Sequence, residues 1–280
     1  MQYILLWLVI ILSAAQNIFH KQYSQKTEKP NVFLFLAVSA FTAFLFFVVS
    51  SGLRLTFTTE VFWYSLAFAI SFMSAMIGMF LSIKWGALSI SMLVISYSLV
   101  VPTLYGILFL KESLSVIRIV GLILLMISLF LIVDRSQKAV FSIRWLIALL
   151  CAFFGNGMCS TVQKAQQLAF DGGYKNEFMI VAFLVSAVLL CLFSCIRHEK
   201  WRGDPGIRFG AVNGVAIGIV NLMVLFLTGM IPNAILFPSV SAGGIVLGFV
   251  IARFMYKERL SPWQVGGYFI GTLSVIFLNL

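Results

Sequence analysis

The residues of this sequence that could bind a ligand are polar side chains set inside long apolar stretches. Two such groups each end in an amide-rich turn and a lysine: Gln16, Asn17, His20 and Lys21 in one stretch, and Asn156, Gln163 and Lys164 in another. Amides in an apolar environment need hydrogen-bond partners and can orient a polar ligand, while a lysine attracts a carboxylate or a phosphate. The pattern therefore predicts two polar flanks of a substrate cavity. The alternative is that both lysines extend to the interface, as lysines near helix ends do.

Two further amides and two phenols belong to the predicted substrate site: Asn213, Asn221, Tyr97 and Tyr105. The two asparagines are spaced so that they lie near one another on a helix. Their amides find partners either across a helix interface or in a cavity, and the sequence leaves both outcomes open. The tyrosines have the same spacing, which suits either stacking on a ligand or packing within a helical face.

Some stretches also contain residues that weaken or crowd a helix backbone. Proline removes a helical hydrogen bond and clustered glycine loosens the ladder, so the predicted hinge residues are Pro102, Pro238, Gly243 and Gly244. A different glycine pattern, with a spacing of four, comprises Gly210, Gly214 and Gly218. Small residues at this spacing let two helix backbones approach closely, so these glycines are predicted to pack against a neighbouring helix.

Catalytic and metal-binding patterns are missing from the apolar stretches. The only histidines are His20 and His198, too few for the usual zinc chemistry. The cysteines, which have no neighbouring histidine or carboxylate and are predicted to be small packing residues, are Cys151, Cys159, Cys191 and Cys195. Paired carboxylates, a Ser/His pair and a His-Glu-x-x-His motif are also absent from these stretches. The sequence therefore predicts no enzyme activity, no metal and no cofactor.

The carboxylates that attract attention lie in turns. Glu112 and Glu258 each follow a lysine, where capping of the following helix or a surface ion pair explains them better than proton coupling. His20, which can titrate near neutral pH, is then the best candidate for proton linkage. Because no acidic residue lies centrally in an apolar stretch, a neutral, zwitterionic or anionic substrate is expected rather than a cation.

The composition indicates the environment in which these side chains must be positioned. Of the 280 residues, 61% are hydrophobic and 10% are charged, with a mean hydropathy of +1.06. Soluble domains are about 45 to 50% apolar and about 25% charged, and a helix needs roughly 20 apolar residues to span a bilayer. We therefore predict an all-α integral membrane protein. Its ten predicted transmembrane helices are 3–20, 32–53, 61–83, 87–110, 116–133, 143–164, 178–196, 207–229, 235–255 and 263–279.

An internal repeat divides the predicted helices. A shift of 146 positions places Lys111-Glu112-Ser113-Leu114-Ser115 onto Lys257-Glu258-Arg259-Leu260-Ser261, and it also matches Gly121 to Gly267 and Ser128 to Ser274. The halves are residues 1–138 and 139–280, and each holds five predicted helices. Because five is odd, the second half enters the membrane from the opposite side, so the repeats are inverted. Inverted repeats are the architecture of alternating-access carriers, whose substrate binds near the midplane between the halves.

Ten helices, two five-helix halves and the Lys-Glu turn before the last helix of each half resemble the drug/metabolite transporter superfamily, EamA-type branch. The resemblance covers nearly the whole chain. It implies a metabolite exporter or importer that works without ATP, often on amino acids or related compounds. It does not identify the substrate.

The charge distribution predicts orientation. The formal net charge is +10, but the basic residues are scattered through short connections, so no nucleic-acid partner is expected. The odd-numbered connections hold 14 of the 19 Lys and Arg residues. The positive-inside rule then places those connections in the cytoplasm and both termini outside the cell membrane.

Together these patterns predict a secondary transporter of a small polar metabolite, working by alternating access around a midplane cavity. The expected partners are the small-molecule substrate and the lipid bilayer, and the sequence is compatible with a monomer or a homodimer. The competing hypothesis is a membrane scaffold or sensor that binds a lipid or a partner and transports nothing.

Overall fold

The computed structural model describes residues 2–52, 56, 58–109, 115–132, 142–227, 233–258 and 260–278. Within these ranges the regular elements are all helical. They are α1 (Gln2–Lys26), α2 (Val32–Ser50), α3 (Thr59–Trp85), α4 (Leu88–Ser96), the 3-10 helix η1 (Tyr97–Leu99), α5 (Val100–Phe109), α6 (Val116–Ile132), α7 (Ile143–Ala169), α8 (Lys175–Ile196), α9 (Gly206–Leu227), α10 (Asn233–Phe254) and α11 (Pro262–Leu278).

The length and composition of these helices suit a bilayer. In the described ranges, 7 helical segments are long and apolar enough to cross a membrane, and they are α1, α2, α3, Leu88–Gly106, α7, α8 and Gly206–Val224. Two shorter apolar helical segments are Ile119–Ser128 and Val240–Phe254. Large hydrophobic side chains such as Phe130 and Phe269 are exposed on the outside of the bundle. The chain is thus an all-α protein with helices suited to spanning a membrane, as its composition predicts.

Local signals explain where several helices begin and end. The side chain of Thr58 accepts a hydrogen bond from the backbone N–H of Val61 at the start of α3, and Ser142 does the same for Trp145 at the start of α7. Such side-chain caps satisfy backbone donors that have no partner within the helix. Before α8 the chain turns sharply through Gly172, whose φ of 75° favours glycine.

Helix packing brings distant parts of the chain together. α3 packs along α7, α2 packs against both α8 and α9, and α6 packs along α11. α1 contacts α9 and α10, while α4 also lies against α10. A Cβ atom on Gly78 of α3 would meet the α7 backbone at Ala148 and Ala152, and one on Gly155 of α7 would meet the α3 backbone. Glycine at both positions therefore sets the close spacing of α3 and α7.

The glycines spaced by four on α9 pack as predicted. Gly210 and Gly214 lie against the backbone carbonyls of Phe35 and Ser39 on α2, and Gly218 lies against the Phe46 ring. The close contact of α2 and α9 depends on these missing side chains.

Several connections meet at one end of the bundle. Asn31, between α1 and α2, donates to the Asp204 carboxylate (2.5 Å) before α9. Lys21 near the end of α1 donates to the carbonyl of Gly86 (3.4 Å) between α3 and α4, and Glu258 after α10 binds the start of α4. We call the end formed by connections 27–31, 86–87, 197–205 and 255–261 the basic end.

Candidate functional site

A cavity of about 280 Å³ lies inside the bundle. Its walls come from α1, α3, α4 with η1, α7, α9 and α10. The lining residues are Ser13, Ala14, Gln16, Asn17, Phe68, Phe72, Ala75, Met76, Met79, Met92, Ile95, Ser96, Ser98, Ala152, Asn156, Cys159, Ser160, Gln163, Ile217, Val220, Asn221, Val240, Ser241 and Gly244.

One part of the lining is polar and uncharged. The Asn156 amide on α7 donates to the Ser98 hydroxyl in η1 (2.7 Å), so it joins two helices at the wall. The Asn17 amide nitrogen donates to the Ser13 carbonyl one turn earlier (3.2 Å), and its amide oxygen has no hydrogen-bond partner in the described part of the chain. The arrangement can offer hydrogen bonds to a polar group of a ligand without providing a counter-charge.

The rest of the lining is apolar and includes flexible side chains. Phe68, Phe72, Met76 and Met79 lie along α3, and Met92 lies on α4. Methionine adapts to irregular shapes and makes favourable contacts with aromatic groups. Of the described residues that line the cavity, none is Asp, Glu, His, Lys or Arg. The cavity therefore suits a ligand that combines an apolar portion with a polar head of no net charge.

Some of the predicted substrate-binding residues lie on this wall and others do not. Those that line it are Gln16, Asn17, Asn156, Gln163 and Asn221. Those that do not are His20, Lys21, Tyr97, Tyr105, Lys164 and Asn213. The prediction that two polar flanks enclose a cavity thus has its geometric basis in the amides, and the lysines do not contribute to the lining.

Each residue away from the wall has a physical reason for its position. The Lys21 ammonium group donates to the carbonyls of Ile83 (3.1 Å) and Gly86 (3.4 Å), at the negative end of the α3 dipole. The buried Tyr97 hydroxyl is hydrogen-bonded to Ser128, and the Tyr105 ring stacks on Phe109 at 5.3 Å.

The position of Lys164 away from the cavity is explained by the direction in which its side chain leaves the helix. It is half-buried on α7 next to Gln163, and consecutive residues on a helix point in different directions. Only Gln163 of this pair faces the cavity.

The sequence left open whether Asn213 and Asn221 have partners across a helix interface or in a cavity, and the structure shows one case of each. Asn213 binds Ser39 across a helix interface (3.1 Å), and Asn221 lines the cavity while it donates to the Ile217 carbonyl (2.9 Å).

The four predicted hinge residues lie in four different places. Pro102 lies in the first turn of α5, just after η1, and because proline has no N–H it cannot donate to the Ser98 carbonyl one turn earlier, which fits the interruption of the helix there. Gly243 packs against Ile10, and Gly244 lines the cavity. Pro238 lies in the backbone of α10, and its side chain is outside the described part. Hinge motion at these positions stays a prediction.

Sequence reasoning missed the cavity hydroxyls of Ser13 and Ser98. Ser13 precedes Asn17 by one helical turn, so the i, i+4 spacing with an accepted site residue could have identified it. Ser98 stands four residues before Pro102, where a broken helix exposes polar groups. The apolar lining of Met76, Met79 and Phe72 carried no signal, because all faces of a membrane helix are apolar.

Glu258 caps a helix, although not the one expected. Its carboxylate accepts from the N–H groups of Leu88 (2.8 Å) and Ser89 (3.2 Å) and from the Ser89 hydroxyl (2.6 Å) at the start of α4. The expectation that it caps the following helix, α11, is therefore corrected. Burial and the nearby Glu258 carboxylate raise the pKa of the Tyr256 phenol. Glu112 lies outside the described residues.

The cysteines serve as packing residues in part. Cys159 is buried and lines the cavity, Cys191 is half-buried, and Cys151 and Cys195 are exposed on the bundle surface. In the described residues they are free thiols, and Cys159 therefore offers a native chemical handle inside the cavity.

Comparison with known proteins identifies a fold rather than a function. No family model matches the sequence. An uncharacterized protein of Haemophilus influenzae is 26% identical over 189 residues, which cover 64% of this chain and 62% of that relative. A crystal structure of a protein at 13% identity superposes with a TM-score of 0.65 over 99% of this chain and 95% of that one. At this identity the likeness indicates a shared fold alone.

Proposed function

We propose that this protein is a secondary transporter of a small, amphipathic metabolite without net charge, working by alternating access. In this proposal the chain crosses the cell membrane ten times, as two five-span halves of opposite orientation. It belongs to the drug/metabolite transporter superfamily, EamA-type branch, and uses neither ATP nor a bound cofactor.

Helix directions support two opposed halves. α1 ends at the basic end, where Lys21 reaches Gly86, while its counterpart α7 begins there, with Trp145 against Gly86. α2 begins at the basic end next to Glu199, which follows the end of its counterpart α8. α4 begins where its counterpart α10 ends, because Glu258 binds Leu88. Each of these pairs is antiparallel, as an inverted repeat requires.

Exchange of the halves also reproduces the packing. α3 packs along α7. When each helix is replaced by its counterpart in the other half, this pair becomes α9 and α1, which are also in contact. α2 contacts α9, and the exchanged pair of α8 and α3 is in contact as well. Some helices also pack directly against their own counterparts, namely α6 against α11, α2 against α8 and α4 against α10. This exchange symmetry supports the repeat that the Lys-Glu-x-Leu-Ser motif suggests.

The observation that carries the proposal is a cavity lined by three counterpart helix pairs. These are α1 with α7, α3 with α9, and α4 with α10. Positions related by the 146-residue shift face the cavity together, as Ala75 and Asn221, and as Ser98 and Gly244, do. A ligand bound at such an interface can be exposed to either side when one half rocks against the other.

The lining restricts the substrate class. Amides and hydroxyls can bind a polar or zwitterionic head, while Phe72, Met76 and Met79 can cover an apolar portion. An ion with net charge would pay for desolvation without a counter-ion in the wall. The lysines at positions 21 and 164, which motivated an anionic alternative, do not line the cavity. A neutral or zwitterionic substrate is therefore favoured over an anionic one.

The charge count supports an orientation for the proposed transporter. The basic end holds Lys29, Arg197, Lys200, Arg202 and Lys257 among the side chains of its connections. The positive-inside rule places this end in the cytoplasm and both termini outside.

Two measurements test the proposal in sequence. The purified protein is screened by thermal shift against zwitterionic amino acids, nucleosides, neutral sugars, phosphates and choline, because a ligand of the native state raises its apparent stability. Any stabilising compound is then assayed by counterflow of its labelled form in proteoliposomes. Counterflow in the wild type that is lost in Asn156→Ala supports the carrier.

Three outcomes would contradict it. Stabilisation by charged compounds alone would overturn the substrate class. A ligand that binds but shows no counterflow would favour the scaffold or sensor hypothesis. Chemical conversion of the ligand by the detergent-purified protein would indicate an enzyme.

A further inference from the structure

A buried polar cluster lies beside the cavity, toward the basic end. It consists of Asn17 and His20 on α1, Ser39 on α2 and Asn213 on α9. The Asn213 amide nitrogen donates to the Ser39 hydroxyl (3.1 Å) and lies 3.5 Å from Nε2 of His20. Asn17 lines the cavity, and His20 follows it by about one helical turn. The cluster therefore continues inward from the cavity wall.

The cluster contains buried polar atoms that are left unpaired, among them two amide oxygens. His20 is 1% exposed and Asn213 is 0% exposed, yet Nδ1 of His20 and Oδ1 of Asn213 have no hydrogen-bond partner among the residues that the structure describes. Within the same residues Oδ1 of Asn17, which is 6% exposed, has none either. A buried acceptor without a donor costs about 1 to 3 kcal/mol. Because the Asn213 amide nitrogen faces Nε2, the neutral His20 ring has its proton on Nδ1. A second proton, on Nε2, would be accepted by Oδ1 of Asn213 once that side-chain amide turns over.

We propose that the cluster is a proton-binding site, in which His20 takes up a proton when the basic end opens. A doubly protonated imidazole has two N–H donors, and the unpaired amide oxygen of Asn213 becomes the acceptor for Nε2–H when the Asn213 amide turns over. This assignment rests on the proposed function, because the opening is a step of the alternating-access cycle.

The surroundings of His20 oppose its charge as long as the contacts of Lys21 with Gly86 and of Glu258 with Leu88 keep the basic end closed. The ring lies edge-on to Phe35 with centroids 5.1 Å apart and tilted to Phe80 at 5.6 Å. Attraction between a cation and an aromatic face, about 0.5 to 2 kcal/mol, is smaller than the several kcal/mol needed to bury an ion without a counter-ion. The neutral ring therefore belongs to the closed conformation.

Two other titratable groups of α1 near this part of the bundle have partners of their own. On α1, Lys21 donates to the α3 carbonyls, and the Tyr23 hydroxyl binds Asp204 (2.9 Å) from the connection before α9. The remaining such groups on the surrounding elements are Lys26 on α1, Lys84 on α3, Arg208 on α9, Arg253 on α10, and Tyr256 and Glu258 after α10. In the described residues the recorded hydrogen-bond partner of the His20 ring is Asn213.

These positions couple protonation of His20 to opening of the basic end. Opening the basic end separates α1 from α3 and α10 and admits water to His20, which stabilises the imidazolium. Because protonation is more favourable in the open conformation, a lower pH must raise the open population by the same coupling. A single proton can change this equilibrium by up to about tenfold per pH unit between the two pKa values.

The test measures opening and needs no transported substrate. In a background whose four native cysteines are alanine, Ile83→Cys provides a thiol that is buried in the closed basic end, since Ile83 is 0% exposed. Its maleimide labelling rate in lipid nanodiscs is measured from pH 8 to pH 5. The rate is divided by that of Arg202→Cys, an exposed reference that corrects for thiolate fraction. We expect the corrected rate to rise severalfold as the pH falls.

Matched variants test whether His20 causes the pH dependence of the labelling rate. His20→Gln keeps an amide of similar reach and should remove the pH dependence, whereas His198→Gln, at the other and exposed histidine, should retain it. Persistent pH dependence in His20→Gln would overturn the proposal. Labelling that depends on sodium concentration, and not on pH, would also overturn it by assigning the cluster to a cation.

A second measurement guards against misfolding of the cysteine variant. With two histidines in the chain, the wild-type protein labelled with 15N-histidine gives resonances that His198→Gln assigns. His20 should titrate as the labelling rate rises. A His20 signal that is unchanged from pH 8 to pH 5 would contradict the proton-binding site. If counterflow persists while labelling is independent of pH, the proposed transport function stands and the proton-binding proposal fails.

Discussion

Ser128 on α6 donates a hydrogen bond to the backbone carbonyl of Gly267 on α11 (2.7 Å). The reciprocal bond runs from Ser274 on α11 to the carbonyl of Gly121 on α6 (2.9 Å). Both serines are fully buried, and the shift of 146 positions relates Ser128 to Ser274 and Gly121 to Gly267. Residues that match along the sequence thus exchange equivalent bonds across an antiparallel helix pair.

Removing these hydroxyls should loosen the contact between α6 and α11. We expect Ser128→Ala to lower the free energy of unfolding by about 1 to 2 kcal/mol, because the Tyr97 hydroxyl also loses its partner. Ser274→Ala should cost about 0.6 kcal/mol, typical of a hydrogen bond between membrane helices. Denaturation in detergent micelles measures both. Ser71→Ala, which removes a bond within one helix, is the control, and an equal loss there would contradict the pairing.

The close approach of α3 and α7 should depend on glycine. Gly155→Ala places a Cβ against the α3 backbone, which cannot move as a side-chain tip can, so we expect a loss of about 1 to 3 kcal/mol. Gly266→Ala on α11 is the matched control, because among the described residues no atom of another element lies within 4 Å of its added Cβ. Alanine there should be neutral or stabilising by up to about 1 kcal/mol. Thermal stability by fluorescence-detected gel filtration distinguishes the two, and equal effects would refute this packing.

Cys159 should report occupancy of the cavity. In a protein whose other three cysteines are alanine, a stabilising ligand from the thermal-shift screen should slow methanethiosulfonate labelling of Cys159 by roughly the factor 1 + [L]/Kd expected from occupancy. Cys195 alone, exposed on α8 and absent from the lining, should react at an unchanged rate. Protection of both thiols would point to a general stabilisation and not to a bound ligand in the cavity.

Glu258 should hold the basic end closed. Glu258→Ala removes an acceptor from two backbone N–H groups of α4, and the loss of a charged helix cap costs about 0.5 to 2 kcal/mol. Because this contact joins α4 to the turn after α10, the labelling rate of Ile83→Cys should rise. Lys257→Ala is the control, since it alters an exposed neighbour and preserves the cap. No increase in Glu258→Ala would mean that other contacts keep this end closed.

Much of the architecture could be predicted from sequence because the bilayer is a simple solvent. Long apolar stretches must satisfy their backbone hydrogen bonds internally, so their helical state follows from composition. The bounds of α6 and α11 have the same 146-residue offset as the Lys-Glu-x-Leu-Ser repeat. Gln16, Asn17, Asn156, Gln163 and Asn221 were identifiable as cavity residues because an amide is costly in lipid.

What required the tertiary structure was the direction in which each polar side chain points. Asn17 and His20 belong to the same polar turn, yet one lines the cavity and the other is enclosed by Phe35 and Phe80. In a soluble protein the polar face of a helix marks the solvent side, but here lipid and protein core are both apolar, so periodicity carries little information. Only the packing of α1 against α3, α9 and α10 decides which side chains meet a ligand and which meet one another.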